Sequence, residues 1–231
     1  MTALRPPEFF PTPEVAALLL AAERVVLADT LPFSRQSAHN RARVWASGGA
    51  QWLSVPRRHS GRQRPLAEVE IVRDGWRRKH VHALRTAYGM APFAEHVLPE
   101  VEALLAQPWP SLGALAVATT RWTGRWLGAG ANVVVGSALP GAPDTLEGLW
   151  REAGEAPLLA LEASAARDRQ RLGVPTRVLA LEGLAYRQTF APFVPGCSSL
   201  DLLFNHGPGA AQILREATRI RPLAAGYLAA G

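Results

Sequence analysis

The chain has 231 residues, of which 48% are hydrophobic, which is enough for one large domain and unlike the composition of a disordered chain. A single cysteine, Cys197, excludes an internal disulfide and a cysteine-rich zinc site. The formal net charge is +6, and between Arg35 and Arg85 basic residues outnumber acidic ones by 12 to 3, so the positive charge is regional.

The N-terminal segment predicts a parallel pair of strands. Thr2–Arg5 is a first strand, followed by a proline-rich loop. Thr12 caps a helix that has Pro13 in its first turn and ends near Ala22. The β-branched run Arg24–Ala28 is a second strand, and the succession of strand, helix and strand indicates parallel pairing.

A hairpin and a helical block follow, after which strands and helices alternate again. A polar loop, Leu31–Arg41, leads to two strands, Arg43–Ala46 and Ala50–Val55, around a Ser-Gly-Gly turn that is typical of a hairpin. The next elements are the basic loop Arg57–Pro65, a strand at Leu66–Val72, and a helix that Asp74 caps and that carries the stripe Trp76, His80, Leu84 and Ala87 or Tyr88. The later elements predicted in chain order are a helix ending near Ala106, a helix from Ser111 to about Gly128, a strand at Asn132–Val135, a helix at Thr145–Glu152, a strand at Leu158–Leu161, a helix at Ala163–Leu172, a strand at Thr176–Leu181 and a helical tail from Ser199.

These elements predict an α/β fold. We expect a mixed, mainly parallel sheet flanked by helices, with a β-hairpin and a helical block inserted. Residues 1–231 form a single domain in this prediction. The sequence has no apolar run long enough to span a membrane, and its N-terminus lacks a signal peptide pattern. We therefore expect a cytoplasmic protein of undetermined oligomeric state.

Motif searches exclude several common enzyme classes. The sequence has no Walker loop, no GxGxxG after a strand, no HExxH and no GxSxG. His80 and His82 are close, but a spacing of two residues directs them to different sides of a helix, so we expect no metal site. The sequence leaves any cofactor undetermined.

Two polar features have both a functional and a structural interpretation, and a third has a structural one. The loop His39-Asn40-Arg41 follows Asp29 at the carboxyl end of the second strand, where open α/β sheets bind ligands, or it is an ordinary solvated loop. His80 is either a buried core histidine or an acid–base group in a cleft. Ser198 with Asp201 three residues later is typical of a capping box.

Sequence blocks between residues 6 and 207 carry a family resemblance. The blocks are Pro6-Pro7-Glu8-Phe9-Phe10-Pro11, Asp29, Asn40-Arg41, Gln51-Trp52-Leu53-Ser54-Val55-Pro56, Trp76 with Lys79, His80, Tyr88 and Pro92, and a closing block of Tyr186, Gln188, Phe193, Pro195, Ser198, Asp201, Phe204, Asn205 and Gly207. Together they resemble the WbqC-like protein family. The chain departs from the family pattern at Pro6, where a glutamine is usual, and at Ala160–Leu172, where a tyrosine-bearing loop is usual.

The resemblance implies a bacterial transferase. It suggests transfer of an amino-acyl group, such as glycyl, to an amino sugar or another small polar acceptor in surface-polysaccharide (O-antigen) biosynthesis. We expect three chain segments to converge on one basic pocket that takes a small anionic or sugar-linked substrate. The predicted catalytic residues are His80 as general base, with Asp201 or Asp29 orienting it or binding a cation. The predicted substrate-binding residues are Arg41 and Lys79 for an anion, Asn40, Gln188 and Asn205 for amide contacts, and Trp76 and Phe193 for an apolar wall.

Binding without catalysis is the rival interpretation. The arginine-rich region could hold RNA or another polyanion, or it could be a solvated basic face. Aromatic residues are absent between Arg57 and Arg64, so a stacking platform is missing there and nucleic acid is a disfavoured partner. A degenerate family member that acts as a scaffold is the third possibility.

Overall fold

The molecule is built around a six-stranded β-sheet. The computed structural model describes residues 1–59, 63–129 and 133–223. Its strands are β1 (Thr2–Arg5), β2 (Arg24–Leu27), β3 (Arg41–Ala46), β4 (Gly49–Ser54), β5 (Val133–Val135), β6 (Leu158–Leu161), β7 (Thr176–Leu181) and β8 (Thr218–Pro222). Six of them form a sheet of order β5-β2-β1-β6-β7-β8, in which only β8 is antiparallel to its neighbour. β3 and β4 form a separate antiparallel hairpin. The predicted fold class is confirmed.

Helices cover both faces of the sheet. In the described residues they are α1 (Pro13–Ala21), α2 (Trp76–Tyr88), α3 (Ala94–Ala106), α4 (Leu112–Trp126), α5 (Leu146–Glu152), α6 (Glu162–Leu172), α7 (Ser199–His206) and α8 (Ala210–Ala217). α1, α4, α7 and α8 pack in a larger core, whereas α5 and α6 pack in a smaller core on the opposite face. No described helix is long and apolar enough to cross a membrane.

The two cores explain the uninterrupted apolar strands. Along β2, Val25 and Leu27 belong to the larger core, while Val26 belongs to the smaller one. Successive side chains of a strand point to opposite faces, so a strand that is buried on both faces must be apolar throughout. For this reason the run Arg24–Ala28 could be identified as a strand although polar and apolar residues do not alternate along it.

The predicted helix starts are confirmed at two caps. The Thr12 hydroxyl accepts a hydrogen bond from the backbone N–H of Val15 at 3.5 Å, and the Ser111 hydroxyl accepts one from Ala114 at 3.1 Å. Each bond satisfies a backbone donor that has no partner within the helix. Both caps lie at the starts of helices, α1 and α4, that frame the site described below.

Two predicted elements are wrong. Leu66–Val72 is not a strand: Leu66–Glu68 forms a 3-10 turn, and the backbone of Ala67 lies against Gly113, where an added Cβ would meet the Ala67 backbone at 2.7 Å. The polar–apolar alternation here reflects a turn that packs closely on α4. The tail is not wholly helical either, because Thr218–Pro222 pairs with β7 as β8.

Two predicted segments extend beyond the described residues. Asn132, the predicted start of a strand, lies outside them, and β5 begins at Val133. Residues 60–62 of the predicted basic loop also lie outside them.

The winding of the sheet reverses at β1. The chain places β2 and β5 on one side of β1, and β6 and β7 on the other. In open parallel sheets ligands bind beyond the carboxyl ends of the strands at such a reversal. Arg5 is the last residue of β1, so the loop that starts at Pro6 occupies this position.

Candidate functional site

The loop after β1 is held rigidly by α4. The hydroxyls of Thr119 and Thr120 both donate to the Glu8 carbonyl oxygen at 3.0 Å, and they accept from the backbone N–H groups of Phe10 and Glu8 at 3.1 and 3.3 Å. Phe10 has φ +48°, a left-handed conformation that is costly for a bulky residue. Such strain persists only where the surroundings impose it, and it is concentrated at functional sites.

A pocket of about 350 Å³ opens beside this loop. We call it the arginine pocket. It is bounded by the loop after β1, the loop before β3, the hairpin and the segment before α7. Its lining residues are Arg5, Glu8, Phe10, Thr12, Gln36, Ser37, Ala38, Arg41, Ala42, Arg43, Trp52, Gly196 and Ser198.

Glu8 is a buried carboxyl at the wall of the arginine pocket. It is 6% exposed, and its Oε2 accepts a hydrogen bond from the backbone N–H of Thr12 at 3.0 Å. Burial raises the pKa of Glu8, and the nearby positive charge of Arg5 opposes this effect. A carboxyl group with a raised pKa at a pocket wall accepts a proton from a ligand more readily than an exposed glutamate does.

Arg5 has an unused hydrogen-bond donor. One of its terminal nitrogens donates to the Ser164 hydroxyl at 3.2 Å, and another lies 3.9 Å from Glu8 Oε1. Its Nε is buried and has no hydrogen-bond partner among the described residues. A buried donor without a partner is unfavourable, so a ligand oxygen at this place would satisfy it.

Arg41 and Arg43 add two further guanidinium groups. They lie two positions apart on β3 and therefore point to the same face of the hairpin. The Arg41 guanidinium lies 4.9 Å from the centre of the Trp52 ring, and Arg43 donates to the Pro195 carbonyl at 3.1 Å. Within the described residues neither arginine forms an ion pair with a carboxylate. The lining of the arginine pocket thus includes three arginines and one carboxyl group, which favours an anionic ligand.

Asp201 lies in a closed hydrogen-bond network behind the arginine pocket. It is 0% exposed, and it accepts from the Tyr88 hydroxyl at 2.9 Å and from the Gln188 amide at 2.8 Å. The Asn205 amide donates to the Asp201 backbone carbonyl at 2.7 Å. Burial raises the pKa of Asp201. This network attaches the segment before α7 to α2, and it has the character of a structural element.

The predicted capping box at Ser198 is wrong. Ser198 occupies the cap position of α7, but its side chain makes no capping bond, and its buried hydroxyl has no hydrogen-bond partner in the described parts of the chain. The Asp201 carboxylate is used by Tyr88 and Gln188 instead. The Ser198 hydroxyl therefore remains as a second unpartnered polar group at the arginine pocket, in addition to Arg5 Nε.

His80 and Trp76 lie in the core. The His80 ring centre is 5.1 Å from that of Trp76 and 5.8 Å from that of Phe9. Burial lowers the pKa of His80 to about 4, so the imidazole is neutral at pH 7. Lys79, the preceding residue, is exposed. α2 therefore contributes apolar support beneath the loop after β1.

The other predicted residues mostly bind the protein itself. The Asn40 amide donates to the Val55 carbonyl at 3.0 Å, and His39 Nδ1 lies 3.1 Å from the Pro7 carbonyl. Phe193 packs against Tyr186, with ring centres 5.0 Å apart. These contacts position the chain around the pocket without lining it.

Asp29 lies at a different pocket. Its two carboxylate oxygens accept from the backbone N–H and the hydroxyl of Ser137 at 2.8 and 2.7 Å. Of the predicted site residues, only Arg41 lines the arginine pocket, and the structure does not bring Asp29, His80 and Asp201 together. The expected convergence on one pocket is therefore not observed.

Sequence reasoning missed Arg5, Glu8 and Arg43. A signal existed for each of them. Arg5 ends the first strand, Glu8 lies within the proline-rich block that follows it, and Arg43 is two residues from Arg41 on the same strand face. A reversal of winding at β1 would have linked these residues, but the strand order could not be read from the sequence.

A second basic pocket, of about 570 Å³, lies beside the loop after β2. We call it the Arg57 pocket. Its lining includes Arg35, Arg57, Arg58 and Arg64. The Arg57 guanidinium lies 4.3 Å from the Phe33 ring centre, and Arg58 pairs with a glutamate on the facing segment at 2.9 Å. No group of His, Cys, Asp and Glu in the described parts of the chain is arranged to hold a metal ion.

Comparison with known proteins gives a family and a distant relative. The sequence model of the WbqC-like protein family matches residues 6–213. The uncharacterized protein Rv1507c of Mycobacterium tuberculosis (strain ATCC 25618 / H37Rv) is 26% identical over 208 residues, which cover 86% of this chain and 90% of that protein. No solved structure matches the chain.

Proposed function

This chain belongs to the WbqC-like protein family, and from that premise we propose that its arginine pocket binds a small anionic, sugar-linked substrate and supports transfer of an amino-acyl or related group. The acceptor is the amino group of an amino sugar, or another small polar molecule of bacterial surface-glycan metabolism. The observation that carries the proposal is the set of three arginines around one buried carboxyl at the reversal of the sheet.

The anion-binding part rests on the unmet hydrogen-bonding capacity of the pocket. Arg5 Nε and the Ser198 hydroxyl are buried without partners, and Arg41 and Arg43 have no carboxylate partner in the described residues. Guanidinium groups bind phosphate oxygens in bidentate geometry. A phosphate or diphosphate of a sugar-linked ligand would satisfy these donors, and the exposed Trp52 ring offers a surface for a sugar face.

Glu8 is the acid–base group in this proposal. The acceptor amine attacks the acyl carbonyl carbon, a C–N bond forms, and the bond from that carbon to the leaving group breaks. The amine loses a proton to the Glu8 carboxylate, and the leaving group departs with the bonding electron pair as an anion near the arginines. Because burial raises the pKa of Glu8, its carboxylate is a stronger base than an exposed glutamate.

The roles differ in part from those expected from the sequence. Arg41 keeps its anion-binding role. The general-base role passes from His80 to Glu8, because the His80 ring packs between Phe9 and Trp76 and has a lowered pKa. Asp201 acts on the site only through the segment that it holds in place.

The test has a binding stage and a transfer stage. A thermal-shift screen of nucleotides, sugar nucleotides, coenzyme A thioesters and amino acids should find a saturable, salt-tolerant stabiliser. Mass spectrometry of the best amino-sugar nucleotide, incubated with glycyl and acetyl thioesters, should then show a product with the added acyl mass. Glu8→Gln should bind this ligand and form no product, while the exposed Arg151→Gln on α5 should behave like wild type. Equal product formation by Glu8→Gln would refute the assigned role.

The four arginines that line the Arg57 pocket favour a non-catalytic alternative, the binding of a polyanion. Glu68 and Glu70, which also line this pocket, oppose such binding. A polyanion that binds there through counterion release would lose affinity steeply with added salt. Stabilisation by any polyphosphate, abolished at about 200 mM salt, would favour this alternative over the transferase.

A further inference from the structure

A third pocket, larger than the arginine pocket and the Arg57 pocket, lies on the other side of α4. It has a volume of about 780 Å³ and is bounded by α3, α4 and the residues that follow β2 and β5. We call it the α4 pocket. Its volume falls in the range of about 300–1,000 Å³ that is typical of small-molecule sites. It shares a wall with the arginine pocket, because Trp122 lines the α4 pocket and contacts Phe10 of the arginine pocket, with ring centres 5.8 Å apart.

The middle of the α4 pocket is apolar. Trp109 donates its indole N–H to the Leu104 carbonyl at 2.9 Å, and Trp122 donates its indole N–H to Glu100 at 2.8 Å. Both indole donors are therefore used within the protein, and what remains toward the pocket is ring surface. Val117, on α4, adds aliphatic surface to the same wall. A ligand must bring a hydrocarbon body to cover this surface.

The acidic and basic side chains of the α4 pocket differ in whether they have partners within the protein. The carboxylate of Asp29 accepts two hydrogen bonds from Ser137, and Glu100 accepts indole N–H groups. Arg121 and Arg125 are exposed, lie one helical turn apart, and form no ion pair within the described residues. Neutral donors leave the charges of Asp29 and Glu100 in place, so the lining carries two negative and two positive charges, and the two guanidinium groups on one face of α4 are the ones that remain free to pair with an anion.

We propose that the α4 pocket is a second binding site, which takes an amphipathic anion with a hydrocarbon body and a terminal carboxylate or phosphate. The hydrocarbon body covers Trp109, Val117 and Leu104, and the anionic end pairs with Arg121 and Arg125. The inference is independent of the ligand of the arginine pocket, since it uses different residues. The position beyond the carboxyl ends of β2 and β5 is one at which parallel sheets bind ligands.

Calorimetric titration with simple amphiphiles below their micelle concentrations tests the site. Decyl phosphate or decanoate should bind in a 1:1 ratio, and decanol and inorganic phosphate should bind at least about tenfold more weakly, because each lacks one of the two contacts. The tighter of the two anions identifies the headgroup. An Arg121→Gln, Arg125→Gln double variant should weaken binding of the anions about tenfold and leave decanol binding unchanged.

Blocking variants complete the test. Ala103 is exposed on α3 and lines the pocket, so Ala103→Trp should fill it and abolish binding, whereas Ala163→Trp, exposed on α6, should bind as wild type does. Gln107→Trp provides a second blocking variant if the first does not fold. Wild-type affinity in folded blocking variants would overturn the inference. Binding only to anionic vesicles, without binding of monomeric decyl phosphate, would overturn it in favour of a membrane surface.

Discussion

Glu8 and Asp201 are two buried carboxyl groups, and burial raises the pKa of both. Their surroundings differ. Asp201 accepts hydrogen bonds from the neutral donors Tyr88 and Gln188 within a closed network. Glu8 lies beside Arg5 at the wall of an open pocket. A buried polar residue whose partners are all in the protein supports the fold, and one that lies beside unsatisfied donors is available to a ligand.

The two carboxyl groups should differ most in how much their substitution lowers the stability of the protein. Asp201→Ala removes the acceptor of the Tyr88 hydroxyl and the Gln188 amide, and leaves both donors buried. We expect the free energy of unfolding to fall by about 3 kcal/mol. Glu8→Gln keeps an acceptor for the Thr12 N–H and should change the free energy of unfolding by less than about 1 kcal/mol. Urea unfolding of the two variants measures the difference, and equal losses would remove the distinction.

Acid should destabilise the folded protein through the buried imidazole of His80. The pKa of His80 is lowered to about 4 in the folded state from its ordinary value of 6.5, so its contribution to stability is present above pH 6.5 and is lost as the pH falls through about 4. The loss amounts to roughly 3 kcal/mol. His80→Leu should therefore flatten the decline of unfolding free energy between pH 6.5 and 4. An unchanged decline would show that His80 is not the responsible group.

The pH dependence of Glu8 has the opposite sign. Its pKa is raised in the folded state, so its contribution to stability is fully present below the ordinary glutamate pKa of 4.5 and is lost as the pH rises through the raised pKa. Subtracting the profile of Glu8→Gln from that of wild type should give a difference that declines above pH 4.5. The positive charge of Arg5 opposes the effect of burial and limits the decline. A difference that rises with pH would contradict the assignment.

The smallest effect is expected at Trp52. Its ring is 56% exposed and supports the Arg41 guanidinium at 4.9 Å. An exposed cation–π contact contributes about 0.5–1 kcal/mol, so Trp52→Ala should weaken binding of a sugar nucleotide about threefold to fivefold. Met90→Ala, at a residue that is 91% exposed, is the matched control. A loss of binding as large as that of an arginine variant would contradict this minor contribution of Trp52.

The fold could be predicted from the sequence to a large extent. Caps such as Thr12 and Ser111 and the apolar run of β2 are local signals, and they are confirmed. The β8 strand and the 3-10 turn at Leu66 were missed because distant contacts, with β7 and with Gly113, determine them.

The site was harder to predict than the fold. Asn40, Gln188 and Asn205 are polar residues in family-specific blocks, but the structure shows their amides bound to protein atoms. Sequence blocks mark residues that matter without separating those that shape a pocket from those that line it. Arg5 and Glu8 line it because the sheet reverses at β1, which depends on strand order.

The central claim is that the arginine pocket binds an anion, and calorimetric titration with UDP-N-acetylglucosamine or pyrophosphate tests it most directly. The Arg41→Gln, Arg43→Gln double variant should bind at least about a hundredfold more weakly than wild type, since two charge-assisted contacts are lost, while Arg151→Gln should bind as wild type does. Circular dichroism should confirm that the double variant is folded. Undiminished affinity of a folded double variant would contradict the account.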